Sequence, residues 1–181
     1  MLSRIGAFIL DIIQVIVFAV AIFLFIYLLV LQPHKIKGSS MEPNFHDGEF
    51  LLTDKISYRF GIPKRGDVIV FKAPPDFKEE FIKRIIGLPG DEVYVKEGYY
   101  YINNQKLNES YIDAYTNAGA FASEGKSITV PNGQYFVSGD NRGHSFDSRA
   151  FGTISRDKIT GRAWVLYWPV SEAGVIKKAT Y

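Results

Sequence analysis

Phe81-Ile82-Lys83-Arg84-Ile85-Ile86-Gly87-Leu88-Pro89-Gly90-Asp91 places two adjacent cations inside an apolar run. A strand from Glu80 to Leu88 puts Phe81, Lys83 and Ile85 on one face and Ile82, Arg84 and Ile86 on the other, because successive strand side chains point to opposite faces. One cation must therefore enter each apolar face. A buried charge is costly unless it is neutralised or paired, and the two side chains resolve that cost differently. Lys83 can lose its proton, and burial in the extreme lowers a lysine pKa by ~3–5 units. Arg84 cannot deprotonate and needs a carboxylate. Lys83 is thus a candidate general base.

A base of this kind calls for a nucleophile. Gly38-Ser39-Ser40-Met41-Glu42-Pro43 supplies one in Ser40, whose hydroxyl attacks a carbonyl usefully only when a neighbouring base takes its proton. This stretch directly follows the one membrane-length apolar run. From Ile5 to Leu31 only Gly6, Asp11 and Gln14 interrupt that run, and about 20 such residues cross a ~30 Å hydrocarbon core as a helix. Residues 5–31 read as an uncleaved anchor, ended by Pro33. Ala19-Val20-Ala21 imitates a cleavage site but lies deep inside the run, which also exceeds the ~7–15 apolar residues of a cleaved signal. Arg4 on one side nearly balances Lys35 and Lys37 on the other, so charge alone does not orient the anchor.

Around these segments the texture is β. Expected strands run over Glu49–Asp54, over Val68–Phe71 with both faces buried, and over Gln134–Ser138, with a final pair of strands between Lys158 and Trp168. Trp164 and Trp168 are expected as core and rim residues. Tyr58 to Pro63 is an aromatic loop that either packs on the body or dips into a membrane interface. Residues 92–133, with a hairpin turn at Asn103-Asn104, read as a small inserted β subdomain without a catalytic constellation. The 181 residues carry a formal charge of +2, with scattered basic residues, which gives no footprint for nucleic acid. Without cysteine there is neither a disulfide framework nor thiolate chemistry. His34, His46 and His144 fall at no metal-ligand spacing, so neither a metal nor another cofactor is expected. His144, beside Ser145, is the rival base; its protonation would remove activity near pH ~6.5.

Ser40-Met41-Glu42-Pro43, Arg65-Gly66-Asp67-Val68-Ile69-Val70-Phe71, Lys83 to Asp91, and Gly139 to Gly152 resemble, in order, the sequence boxes of bacterial type I signal peptidases. The resemblance reaches from the membrane segment to about Trp168. It implies a mostly β protein: one amino-terminal transmembrane helix, then an antiparallel β-sheet catalytic body with the inserted subdomain. It places residues 1–4 in the cytoplasm and the catalytic domain, 32–181, outside the cell membrane. It implies a Ser/Lys-dyad serine endopeptidase, Ser40 and Lys83, that removes signal peptides from exported pre-proteins after small residues at −1 and −3. The same resemblance pairs Arg84 with Asp140 and Asp147 with Arg149, has Ser145 orient the Lys83 amine, and lines the substrate pockets with Ile36, Met41, Phe81 and Ile82. Its partners are pre-proteins and the lipid bilayer, with no nucleic acid or metal.

Departures from the pattern are local. Gly38 replaces a hydroxyl that some relatives carry two residues before the nucleophile, which leaves the second oxyanion donor open. Asn44 and Phe45 replace a common Thr-Leu. A catalytically silent, membrane-anchored binding module is the alternative; it predicts a degraded dyad. A self-cleaving repressor shares the Ser-Lys chemistry but has a DNA-binding head in place of an anchor.

Overall fold

The computed structural model describes residues 2–112 and 114–181; Met1 of the expected cytoplasmic tail and Asp113 of the expected insert lie outside the described residues. Helix α1 (Leu2–Leu29) includes an apolar stretch, Arg4–Tyr27, long enough to cross a membrane and unburied among the described residues. It ends before Pro33, which instead lies in strand β1 (Leu31–Lys35). Proline, lacking an N–H, is accommodated there because β1 is the outermost strand of its sheet.

The body follows as β2 (Phe50–Asp54), the one-turn helix α2 (Ser57–Phe60), β3 (Val68–Lys72), β4 (Glu80–Gly87), β5 (Glu92–Lys96), β6 (Tyr99–Ile102), β7 (Gln105–Lys106), β8 (Ile128–Thr129), β9 (Gln134–Ser138), α3 (Ser148–Phe151), β10 (Ile154–Ser155), β11 (Ile159–Trp168) and β12 (Gly174–Val175). Two antiparallel sheets result. The larger runs β1-β2-β11-β3-β4-β9-β10 with β12 beside β11; the smaller, β7-β6-β5-β8, is the insert. Asn103 and Asn104 both take positive φ in the β6–β7 turn, the geometry a two-residue hairpin demands.

Central strands β3 and β4 are buried on both faces. Val68 and Val70 join Ile36, Met41, Phe45, Leu51, Ala163 and Leu166 in one core, with Ile82 against it. Ile69 and Phe71 join Ile85, Tyr135, Val137 and Ile154 in another, with Phe81 against it. A third core, including Val93, Val95, Tyr100 and Ile102 of the insert, reaches Ile86 and Phe136 of the main sheet.

Further expectations change. Lys158 to Trp168 is not a pair of strands: a 3₁₀ turn (Arg156–Lys158) leads into β11, whose pairing with β2 shifts register between Ala163 and Val165 and again between Leu166 and Trp168. Such bulges reset which residues face inward. Ala163 and Leu166 are buried while Trp164 is 38% exposed, so Trp164 lies at the surface rather than in the core. The Tyr58–Pro63 segment begins as α2 and divides its aromatics: the Tyr58 hydroxyl donates to Asp67 Oδ2 (2.9 Å), whereas Phe60 and Ile62 stand exposed.

Candidate active site

Antiparallel pairing places Lys83 of β4 opposite Ile69 of β3, in the middle of the larger sheet. Its side chain is buried, and its Nζ lies 2.7 Å from Ser40 Oγ, 2.9 Å from the Ile82 carbonyl that accepts from it, and 5.2 Å from the centre of the Phe81 ring. Burial is the dominant influence on this amine and lowers its pKa to about 8; Asp147 and Asp140 pull it upward and the Arg149 charge pushes it down. An amine with that pKa is partly neutral near neutral pH and able to accept a hydroxyl proton.

Ser40 sits in a turn between β1 and β2. That turn is held against the segment after β9, where Asn141 N–H donates to the Ser40 carbonyl (3.1 Å) and Asn141 Nδ2 to the Ser39 carbonyl (3.0 Å). Gly139 permits this close approach. A Cβ there would stand 2.4 Å from the Ser40 carbonyl oxygen and 2.3 Å from Ser145 Oγ.

Arg84, on the opposite face of β4 from Lys83, meets its carboxylate. Nε and Nη2 donate to the two oxygens of Asp140 at 2.8 and 2.6 Å, Nη1 donates to the Gly66 carbonyl, and the guanidinium lies 4.2 Å from the Tyr111 ring centre. Asn44 Nδ2 also donates to Asp140, and to the Tyr111 carbonyl. Arg149 donates to Asp147 through Nε and Nη2 at 2.8 and 2.7 Å. Burial alone would raise the Asp147 pKa, but hydrogen bonds and charge from Arg149, with the Gly139 N–H, hold it below the ordinary carboxylate value.

A cleft of about 490 Å³ opens at Ser40 and Lys83. Ile36 at the end of β1 and Phe81 and Ile82 of β4 line it beside Ser40 and Lys83, as do His34, Glu80 and the exposed ring of Phe146. Met41 does not line it: it is 1% exposed, packed into the core beneath the nucleophile turn. Ser145 does not orient the amine either. Lys83 Nζ is turned to Ser40 and Ile82, while the Ser145 hydroxyl, close against Gly139, helps hold the Asp147 pKa down.

Among the described residues no histidine hydrogen-bonds Ser40 Oγ. His144 is exposed and does not line the cleft. His34 lines it but bonds Thr53 Oγ1 (2.9 Å) and Glu80 Oε2 (2.8 Å). The donors that converge at metal-ligand separations among the described residues are His46, Glu49 and Glu172, with ligand atoms within 4.8 Å of one another; none of them lines the cleft. Spacing could not reveal that group, because Glu172 comes from beyond β11.

Arg142 is a residue that motif reading passed over. Fully buried, it donates to Glu109 through both terminal nitrogens, to Thr116 Oγ1 (2.6 Å) and to the Gly139 carbonyl (2.9 Å). It thereby ties the insert to the strand end that carries Gly139. A lone arginine in a loop gives no such signal when its carboxylate lies 33 positions away.

The family model described as signal peptidase, peptidase S26, matches residues 9–168. The chain belongs to that family. This S26 peptidase is 44% identical over 153 residues to the probable signal peptidase I-2 of Synechocystis sp., covering 81% of this chain and 67% of that one. It is 38% identical over 156 residues to signal peptidase IB of Staphylococcus aureus, covering 79% and 81%. A crystal structure of a signal peptidase I from Enterococcus faecalis V583 is similar at 35% identity and a TM-score of 0.49, over 56% of this chain and 96% of that one. The S26 peptidase is a serine endopeptidase that removes signal peptides, and pre-proteins bearing those peptides are its substrates. A silent binding module is not favoured.

Proposed function

We propose that Ser40 and Lys83 form the catalytic dyad and that cleavage proceeds by acyl transfer. The 2.7 Å contact between Lys83 Nζ and Ser40 Oγ, with the amine buried, carries this reading. Neutral Lys83 takes the hydroxyl proton as Ser40 Oγ attacks the scissile carbonyl, and the resulting ammonium returns the proton to the leaving amine. Lys83 then deprotonates a water that hydrolyses the acyl-enzyme. The Ser40 N–H, which no group accepts among the described residues, is the donor for the tetrahedral oxyanion. Asp140 with Arg84, and Asp147 with Arg149, hold the strand and the loop on either side of the dyad.

The acyl side of the substrate lies along Ile36, Phe81 and Ile82, whose bulk leaves shallow apolar space for small residues at −1 and −3. One methylene in such a pocket discriminates by only about 1–3 kcal/mol, so this selectivity is a preference rather than a barrier. Residues 5–31 cross the cell membrane once, residues 1–4 stay in the cytoplasm, and residues 32–181 work outside it at the bilayer surface.

Incubation with a pre-protein in detergent, followed by sequencing of the new amino terminus, tests the assignment. Ser40→Ala and Lys83→Ala are each expected to abolish processing while leaving the circular-dichroism spectrum intact. Full activity in Lys83→Ala rejects the base.

A further inference from the structure

The oxyanion donor proposed above belongs to the Ser39–Ser40 peptide, and so does the carbonyl of Ser39. A trans peptide is planar, with its C=O and N–H directed oppositely. Whatever grips the Ser39 carbonyl therefore also aims the Ser40 N–H. Two donors grip it: Asn141 Nδ2 at 3.0 Å and the Glu42 N–H at 3.2 Å. The Asn141 N–H holds the next carbonyl, that of Ser40, at 3.1 Å. One asparagine thus fixes two consecutive peptide planes around the nucleophile, and it can do so because Gly139 lets its strand end approach without a Cβ.

We propose that Asn141 is a positioning residue for the oxyanion hole, setting the direction of the Ser40 N–H through the Ser39 carbonyl. The proposal rests on Ser40 being the nucleophile. It also bears on the missing hydroxyl at position 38. Gly38 takes a φ of +80° and its N–H donates to Asp47 Oδ1 (2.7 Å), so position 38 offers the oxyanion no side-chain donor and its N–H is engaged elsewhere, which leaves the direction of the Ser40 N–H to matter more. Hydrogen bonds in a chain polarise one another, so the grip on the carbonyl also strengthens the N–H as a donor.

The test compares full-length Asn141→Ala and Asn141→Leu with the parent enzyme in detergent on a signal-sequence peptide. Leucine keeps the branched skeleton of asparagine with somewhat more bulk, adds no charge and removes the side-chain amide that donates to the Ser39 carbonyl, and alanine removes the same amide without added bulk. Loss of a whole oxyanion donor costs ~10²–10³ in kcat, and the Glu42 N–H still holds the carbonyl, so kcat is expected to fall ~10- to 100-fold. KM stays within about twofold and the pH midpoint of activity, which reports Lys83, does not move. Affinity for a peptide boronic acid, which forms a tetrahedral adduct with a serine, is expected to fall by the same factor as kcat/KM. A purely structural role would lower the melting temperature and disturb KM without this selective loss.

Wild-type kcat in a folded Asn141→Leu enzyme overturns the proposal, as does a loss of kcat accompanied by a shifted pH midpoint. Ser40→Ala separates the two readings. Retained activity there defeats the nucleophile assignment itself, whereas an inactive Ser40→Ala beside a fully active Asn141→Leu defeats only the role of Asn141.

Discussion

The burial of Lys83 serves its proposed role as base at the expense of stability. With its pKa lowered to about 8, chiefly by burial, the neutral amine gains population as pH rises through that value. Activity governed by Lys83 is expected to rise with pH to a plateau above about 8 and to fall roughly tenfold per unit below it, which a pH profile of kcat/KM measures. A midpoint near ~6.5 would instead point to an imidazole. Stability carries the same signature with a definite sign. Below about pH 8 both native and unfolded chains hold the proton. Between about 8 and the ordinary lysine value of 10.5, only the unfolded chain does, so native stability rises with pH across that window. Lys83→Met is expected to be the more stable protein at pH 7, by about 3 kcal/mol, and to lose that advantage by pH 10.5. Residues of this kind were legible because their cost is local: a lysine and an arginine in one apolar strand each demand an explanation. Arg84 announced the need for a carboxylate, but only family resemblance named Asp140. Asn141, Asn44 and Arg142 were silent, since an asparagine or arginine in a polar loop looks the same whether it faces water or a backbone carbonyl brought from far along the chain.

At the level of elements, apolar runs bounded by turn residues located β3, β4 and β9 almost to the residue, because each is short, rich in apolar and β-branched side chains and closed off by Gly, Pro, Asn or Asp. Alternation failed where bulges change the phase, which is why β11 read as two strands and Trp164 as a core residue. Pro33 misled for a related reason: it usually closes a helix, yet an outermost strand admits it. β4 also depends on a residue that periodicity cannot explain. Gly87 ends the strand at a register shift against β9, and a Cβ there would come within 2.6 Å of Val93 Cγ2 and 3.0 Å of Phe136 Cβ. It is one of the points where the main sheet and the insert meet. Gly87→Ala is expected to destabilise the protein by about 1–3 kcal/mol, the usual cost of overpacking a filled core. Denaturant unfolding in detergent measures that loss, and an unchanged midpoint would mean that the two sheets part more easily than their shared core suggests.

For the molecule as a whole, the decisive arrangement is that a membrane-length helix runs almost directly into the catalytic body. α1 ends at Leu29, β1 begins at Leu31, and the Lys55 N–H after β2 donates to the Val30 carbonyl (2.9 Å), leaving little slack between the anchor and the sheet. The Ser40 turn follows soon after β1, so with α1 spanning the membrane as proposed, the cleft is kept near the plane where a signal peptide emerges from lipid. Orientation decides whether that placement is useful, and the near balance of Arg4 against Lys35 and Lys37 leaves it to the family reading. The absence of cysteine makes the question directly measurable, since any introduced thiol is the only one. Ser123 lies exposed in the insert. In intact spheroplasts, Ser123→Cys is expected to react with a membrane-impermeant maleimide, and Ser3→Cys only after the membrane is permeabilised. The reverse pattern would put the body in the cytoplasm, on the wrong side for exported substrates. Equal labelling of both without permeabilisation would mean that α1 does not span, and that the short connection to β1 places the cleft by some means other than a transmembrane anchor.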